Sequence, residues 1–89
     1  MTTTKYFLYM RSKYAVLDNQ KVILHPYSYM PSSVPTNILM TRTEAMNLRN
    51  YITSANLPCE DNNGYDYGPF LGMRRKLRLG KVIINEPNE

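Results

Sequence analysis

The chain has 89 residues, which fit one domain, and its composition of 43% hydrophobic and 20% charged residues suits a folded protein better than a disordered one. Its single cysteine excludes an internal disulfide, and no run approaches the roughly 18 apolar residues of a membrane-spanning helix. The net charge of +4 favours an acidic protein or a nucleic acid as partner.

The first part of the chain predicts an antiparallel hairpin. Two β-prone runs, 6–17 and 21–24, flank a short turn that begins at Asp18 and Asn19. Alternation places apolar side chains on both faces of the first run: Tyr6, Leu8 and Met10 on one, Phe7, Tyr9 and Arg11 on the other. We therefore expect a central strand, or one that is covered on both sides.

A proline-rich loop follows from His25 to Pro35. Three prolines remove backbone donors and restrain the residues before them, so this segment predicts a stiff, extended connection. The prolines fit a purely structural role, whereas Tyr27 and Tyr29 are candidate anchors for a partner. Residues 37–40 predict a short strand or a buried lead-in to the next element.

A helix is predicted after residue 40. Thr41 and Glu44 have the spacing of a capping box, in which the threonine hydroxyl and the glutamate carboxylate satisfy early backbone N–H groups. One apolar face follows at helical spacing: Ala45, Leu48, Ile52 and Ala55, with Tyr51 at its edge. The polar positions should be solvated: Arg42, Asn47, Arg49, Asn50 and Thr53. Pro58, after Leu57, should end the helix.

The last third of the chain predicts a polar loop and a strand. Residues 59–69 contain the turn pairs Asn63-Gly64 and Gly68-Pro69, which indicate a loop. Residues 70–84 predict one strand, or two strands bent at Gly80, and residues 85–89 a loose tail. The expected fold of this single domain, 1–89, is α+β: a small antiparallel or mixed sheet, built from the N-terminal hairpin and the C-terminal strand, with one helix packed on one face.

Five cations fall close together near the C-terminus. This basic stripe comprises Arg74, Arg75, Lys76, Arg78 and Lys81. On a strand, Lys76 and Arg78 would project from one face while Leu77 and Leu79 enter the core. The stripe then predicts contacts with an acidic protein or with phosphates. The alternative is a solvated strand whose charges protect a sheet edge from aggregation.

Tyr65 and Tyr67 lie in an acidic segment beside the turn pairs. Tyrosine is enriched at recognition surfaces. The neighbouring carboxylates of Glu60, Asp61 and Asp66 would repel phosphates, so this segment suits a protein partner better than a nucleic acid. Its acidic residues lack the spacing and the closing glutamate of an EF-hand, which argues against calcium.

The sequence contains no recognisable catalytic or cofactor motif. One histidine, His25, and one cysteine, Cys59, are too few for a histidine metal centre or a cysteine-rich zinc site. The four glycines have neither the dinucleotide nor the phosphate-loop spacing. We therefore expect no enzymatic activity, no cofactor and no bound metal.

These observations together predict a small non-enzymatic binding module. The chain begins with a methionine and is short, a form typical of regulators and inhibitors from phages or mobile elements, and it carries no export signal. We expect it in the cytosol of its own cell or of an infected host, with an acidic protein as partner and no membrane contact. The expected contact residues are the basic stripe with Tyr27, Tyr29, Tyr65 and Tyr67. Direct DNA or RNA binding and assembly into a homo-oligomer are the alternatives.

Overall fold

The structure is a computed structural model that describes residues 2–26, 34–70 and 76–85. These residues form six strands, one α-helix and a short 3-10 helix. In chain order they are β1 (Thr2–Met10), β2 (Lys13–Asp18), β3 (Lys21–Pro26), the 3-10 helix (Thr36–Ile38), α1 (Arg42–Ser54), β4 (Pro58–Asp61), β5 (Asp66–Pro69) and β6 (Arg78–Asn85). The predicted α+β class, with one helix on a small sheet, is confirmed.

The six strands form one mixed sheet in the order β5-β4-β3-β2-β1-β6. All neighbours are antiparallel except β3 and β4, which run parallel and are joined by the segment that contains α1. β1 lies inside the sheet, between β2 and β6, as its two apolar faces predict. Both faces of β1 are covered, since Phe7 and Leu8 are each buried although they point in opposite directions.

Two-residue turns connect the first three strands. Asp18 pairs with Lys21, and the two residues between them, Asn19 and Gln20, have φ angles of 51° and 66°. Two successive positive φ values are typical of the type I′ turn, whose twist matches that of paired strands. The predicted hairpin is thus confirmed. The run 6–17 is not one strand, however, because Arg11 adopts a φ of 57° and the chain reverses between β1 and β2.

The segment before the helix pairs with the sheet at one residue. Met40 and Tyr6 exchange both backbone hydrogen bonds, at 2.7 and 2.9 Å. Residues 36–38 turn as a 3-10 helix, so a strand over 37–40 is wrong. The segment is a lead-in to the helix, but Asn37 is exposed and 38–40 are half-buried, whereas a buried lead-in was predicted. The greater part of the predicted proline loop, 27–33, lies outside the described residues, as do 86–89 of the predicted tail.

Both ends of α1 are closed by local hydrogen bonds. The Thr41 hydroxyl accepts from the Glu44 N–H at 3.1 Å, and the Glu44 carboxylate accepts from the Thr41 N–H at 3.0 Å, which confirms the capping box. At the other end Asn56 has a φ of 51°, and Leu57 N–H donates to the Ile52 carbonyl. This is the Schellman arrangement, so the helix ends before Pro58 exerts any effect.

The core lies between α1 and one face of the sheet, called here the helix-covered face. Ala45 and Ile52 of α1 are completely buried, and Leu48 packs against the same cluster. The sheet contributes Leu8, Ala15, Val22, Leu24 and Cys59. Ala55, predicted on the apolar face, is exposed because it is already the helix cap. Arg49, predicted to be solvated, is half-buried, and its Nε is enclosed without a hydrogen-bond partner.

The predicted polar loop over 59–69 is wrong, because it contains β4, β5 and the turn between them. β4 gains its order from parallel pairing with β3, and Cys59 enters the core opposite Val22. The Asp61 carboxylate then accepts from the N–H groups of Asn63 and Tyr65, both at 2.8 Å, and closes the turn. The predicted turn pair contributes as expected at Gly64, which has a φ of 89°.

A C-terminal strand is confirmed, but it covers Arg78–Asn85 and not 70–84, it includes Asn85 of the predicted tail, and Gly80 does not bend it; residues 71–75 lie outside the described residues. β6 pairs with β1 in an unbroken register from Arg78 opposite Tyr9 to Asn85 opposite Thr2. Gly80 lies opposite Phe7, and a Cβ atom at this position would come within 2.6 Å of the Phe7 ring at Cε1. The glycine therefore makes room for an aromatic side chain in a regular strand.

Candidate partner-binding surfaces

The sequence named nine contact residues, of which the structure describes five. Lys76, Arg78 and Lys81 of the basic stripe are described, as are Tyr65 and Tyr67; Arg74, Arg75, Tyr27 and Tyr29 lie outside the described residues.

The described part of the basic stripe does not form one face of a strand. Lys76 precedes β6, so it does not share a strand face with Arg78 as predicted. Within β6, Arg78 and Lys81 are three residues apart and therefore project from opposite faces of the sheet. Leu77 is buried and Leu79 packs against the core, as predicted. All three cations are exposed.

The outer edge of β6 presents backbone hydrogen-bonding groups. Tyr6 directs its N–H and C=O toward Met40, and hence away from its β6 partner, Lys81. In an antiparallel ladder the partner in such a pair also points its groups outward. Because this pattern repeats every second residue, Leu79, Lys81 and Ile83 carry the outward N–H and C=O groups. No strand among the described residues pairs with this edge.

Apolar side chains accompany that edge. Ile83 is 69% exposed, the largest exposure of any large hydrophobic side chain in the part of the chain that the structure describes. Its neighbours Val82 and Ile84 are only half-buried. An eight-residue edge strand with exposed β-branched residues is the kind of surface that pairs with another chain. The two cations of β6 are the usual protection against unselective pairing.

Tyr65 and Tyr67 form an ordered aromatic pair at the other edge of the sheet. Their ring centroids are 4.9 Å apart in an edge-to-face arrangement, and the two side chains are 64% and 40% exposed. Lys13 donates a hydrogen bond to the Tyr67 hydroxyl at 2.8 Å, and its ammonium lies 5.2 Å from the Tyr67 ring centroid. This hydrogen bond raises the pKa of Lys13.

The basic stripe and the tyrosine pair are on opposite edges of the sheet. β5 carries Tyr67 and β6 carries Arg78 and Lys81, with four strands between them. Five inter-strand spacings of about 4.8 Å separate the two edges by roughly 24 Å along the sheet. The sequence grouped these residues as one set of contacts, whereas the structure brings only the two tyrosines together.

The three carboxylates of the tyrosine segment have structural roles. Glu60 forms a salt bridge with Lys21 at 2.9 Å. Asp66 accepts from the Gly68 N–H at 2.7 Å, and Asp61 holds the turn. The backbone N–H of Tyr65 is the main cause that lowers the pKa of Asp61, and the N–H of Asn63 adds to it. Each carboxylate is thus engaged by a neighbour within the fold.

Cys59 and His25 do not form a reactive pair. Cys59 lies in the core, on the helix-covered face, and burial raises the pKa of its thiol to about 11. His25 pairs with Tyr14 and stacks on its ring at a centroid distance of 5.2 Å, on the opposite face of the sheet. A thiol with this pKa is protonated at neutral pH and is a poor nucleophile. Among the described residues, no three metal-ligating side chains form a group.

A row of ring-bearing and cationic residues crosses the face opposite the helix, and the sequence did not reveal it. The registers align Arg78, Tyr9, Tyr14 and His25 across four neighbouring strands. Their common face follows from alternation, but alignment across strands depends on the turns at 11–12 and 19–20. The first of those turns was missed, so the row could not be predicted.

A second group missed by the sequence is cationic. Arg42 and Arg49 of α1, together with Arg78, line a cavity of about 380 Å³ at the edge of the sheet, with Tyr6, Tyr9, Met46 and Leu79. The signal available in the sequence was the spacing of seven residues between the two helix arginines, which places them on one side of α1. We call this space the arginine cavity.

Comparison with protein-family models, with curated proteins and with solved structures finds no match to this chain. No helix among the described residues is long and apolar enough to cross a membrane. Any inference about the function of this chain therefore rests on the surfaces described above.

Proposed function

We propose that this chain is a non-enzymatic protein-binding module that pairs the outer edge of β6, to which no described strand is paired, with an extended strand of its partner. The observation that carries the proposal is the outward edge itself, with the N–H and C=O groups of Leu79, Lys81 and Ile83 unpaired by any described strand. Strand addition of this kind obtains affinity from main-chain hydrogen bonds and specificity from alternate side chains.

Charge and exposure support the same proposal. The 11 Lys and Arg residues exceed the 7 Asp and Glu residues, and two of the cations are on β6 beside the exposed Ile83. A partner strand with acidic residues would be attracted to this edge, while a basic strand would be repelled. The biological role we propose is that of an inhibitor or regulator. It would bind its partner by strand pairing, in the cytosol of its own cell or of an infected cell.

The experiment compares two substitutions at one position. Proline at residue 83 removes an outward N–H but no hydrogen bond to β1, so Ile83→Pro should fold and lose the partner. Ile83→Val keeps the N–H, the branched shape and most of the apolar surface. The immobilised chain and both variants are exposed to nuclease-treated lysate of the source or host cell, and captured proteins are identified by mass spectrometry.

We expect one protein to be retained by the original chain and by Ile83→Val and to be absent with Ile83→Pro. Circular dichroism and thermal unfolding check that the proline variant is folded. Equal capture by all three chains would contradict strand pairing at β6. A parallel capture from untreated lysate completes the experiment: proteins that are captured there but not after nuclease treatment would favour direct nucleic-acid binding, for which the aligned row Arg78, Tyr9, Tyr14 and His25 offers aromatic rings and a cation.

Self-association is the third alternative, because the same edge could pair with β6 of a second copy. Sedimentation at high protein concentration distinguishes it. If the original chain is a dimer and Ile83→Pro is a monomer, the partner at β6 is a second copy of the chain. If the original chain is a monomer, the proposal of a different protein partner stands.

A further inference from the structure

The arginine cavity lies where the first half of α1 meets the edge of the sheet. Arg42 and Arg49 come from the helix and Arg78 from β6. A neighbouring cavity of about 590 Å³ shares Tyr6, Tyr9, Arg42 and Leu79 with it and adds Lys81. Four cations thus line two adjoining cavities, and neither cavity is lined by an aspartate or a glutamate.

The fold holds these cations in place. Arg42 and Arg49 are separated by two helical turns, or about 10 Å along the axis, with Met46 between them on the same side of α1. Ala45 and Ile52 are completely buried on the neighbouring side of the helix, and they fix α1 against the sheet. Pairing with Tyr9 fixes the backbone of Arg78, whose exposed side chain belongs by alternation to the face opposite the helix.

The arginines have no carboxylate partner within the described chain. The single salt bridge among the described residues joins Lys21 to Glu60, which are on other strands. Arg49 is half-buried, and its Nε is enclosed and makes no hydrogen bond. Enclosed donors are normally paired, but this Nε is out of reach of a ligand, so an acceptor in the cavity would have to meet the terminal N–H groups of the Arg49 guanidinium.

We propose that the arginine cavity binds the terminal phosphate monoester of a nucleotide-sized molecule. Guanidinium groups bind phosphate oxygens through paired N–H donors, and the two helix arginines with Lys81 of the adjoining cavity suit a dianion better than a singly charged carboxylate. Cavities of this size are typical of sites for small molecules. The site shares Leu79 and Lys81 with the strand edge of the proposed function, but it requires no strand partner and does not depend on that proposal.

Calorimetric titration at low salt tests the proposal with defined probes. The probes are inorganic phosphate, a nucleoside monophosphate and the same nucleoside without phosphate. We expect the monophosphate to bind and the nucleoside not to bind. Arg49→Gln should weaken binding by at least about tenfold, because it removes a charged pair of donors. Arg42→Gln, at an exposed position, gives a second test if Arg49→Gln fails to fold.

Arg11→Gln is the matched control, since it removes the same charge from an exposed turn that does not line the cavity. Its affinity should remain within about twofold of the original. Equal losses in Arg11→Gln and Arg49→Gln would show a general charge effect and overturn the site. So would binding of the nucleoside as tightly as the monophosphate.

A terminal phosphate can belong to a free nucleotide or to the end of a nucleic-acid strand. Oligonucleotides with a 5′-phosphate and with a 5′-hydroxyl distinguish these sources. Preference for the phosphorylated end supports the site and extends it to strand ends. Equal binding of both oligonucleotides without binding of the monophosphate would contradict the proposal in favour of internal phosphodiesters. Ile83→Pro should leave phosphate binding unchanged. Partner capture therefore tests the strand-edge proposal, and phosphate binding tests this one, so that either can fail without the other.

Discussion

At the scale of single residues, the pair formed by Gly80 and Phe7 shows how one missing side chain organises two strands. Phe7 is 2% exposed although it points away from the main core, and Gly80 on the neighbouring strand provides the space for its ring. The sequence suggested a bend at this glycine. Only the register between β1 and β6 reveals the actual reason, since the two residues are 73 positions apart.

Gly80→Ala should destabilise the fold by about 1–3 kcal/mol, because the new methyl group must displace a buried ring. Urea unfolding of the original chain and the variant measures this difference. Phe7→Leu alone also destabilises, but in that background the additional cost of Gly80→Ala should be much smaller. Additive costs in the double variant would contradict the proposed contact.

At the scale of elements, prediction succeeded where the signal was local and periodic. The helix was predicted from Thr41, Glu44 and the spacing of Ala45 and Ile52, all of which act within a few turns. β4 and β5 were missed because their residues are polar and their order comes from β3, which is distant in sequence. The enclosed Arg49 was missed for the same reason: helical spacing identifies the helix side, but not what packs beside it.

The turn between β4 and β5 predicts a pH dependence. The N–H groups of Tyr65 and Asn63 lower the pKa of Asp61 in the folded chain, so the carboxylate is favoured over the acid when folded. Its contribution to the free energy of unfolding is complete above the unfolded value of about 3.9 and is lost as pH falls through the lower folded value. The main-chain hydrogen bond from Thr41 lowers the pKa of Glu44, which adds to the effect in the same direction.

Asp61→Asn should therefore lose less stability than the original chain between pH 6 and pH 2.5, as measured by urea unfolding at both values. Asp18→Asn is the control, because its carboxylate accepts no backbone hydrogen bond among the described residues. A pH dependence in Asp61→Asn equal to that of the original chain would show that the turn carboxylate does not contribute.

At the scale of the whole molecule, the sheet separates the candidate surfaces. The tyrosine pair lies at the β5 edge, and the pairing edge and the arginine cavity lie at β6. The residues of two of these surfaces were predicted from the sequence. The distance between the surfaces could not be predicted, because it follows from a strand order in which β4 and β5 lie beyond β3 while β6 pairs with β1.

Replacing Tyr65 and Tyr67 together by serine should leave both phosphate binding and partner capture at β6 unchanged, because sites this far apart act independently. Calorimetry and the capture experiment measure the two properties separately. A large loss in either would mean that the β5 edge belongs to the same functional surface, as the sequence alone suggested.

The pairing of β1 with β6 also has a consequence for synthesis of the chain. β1 is made before the other five described strands, yet one of its neighbours, β6, is the last of these six to leave the ribosome. Until then the nascent chain exposes an unpaired edge of β1 along Phe7, Leu8 and Tyr9, although the other edge can already pair with β2. Such an edge is open to wrong partners, so a pause or truncation before residue 78 should make the unfinished chain depend on chaperones.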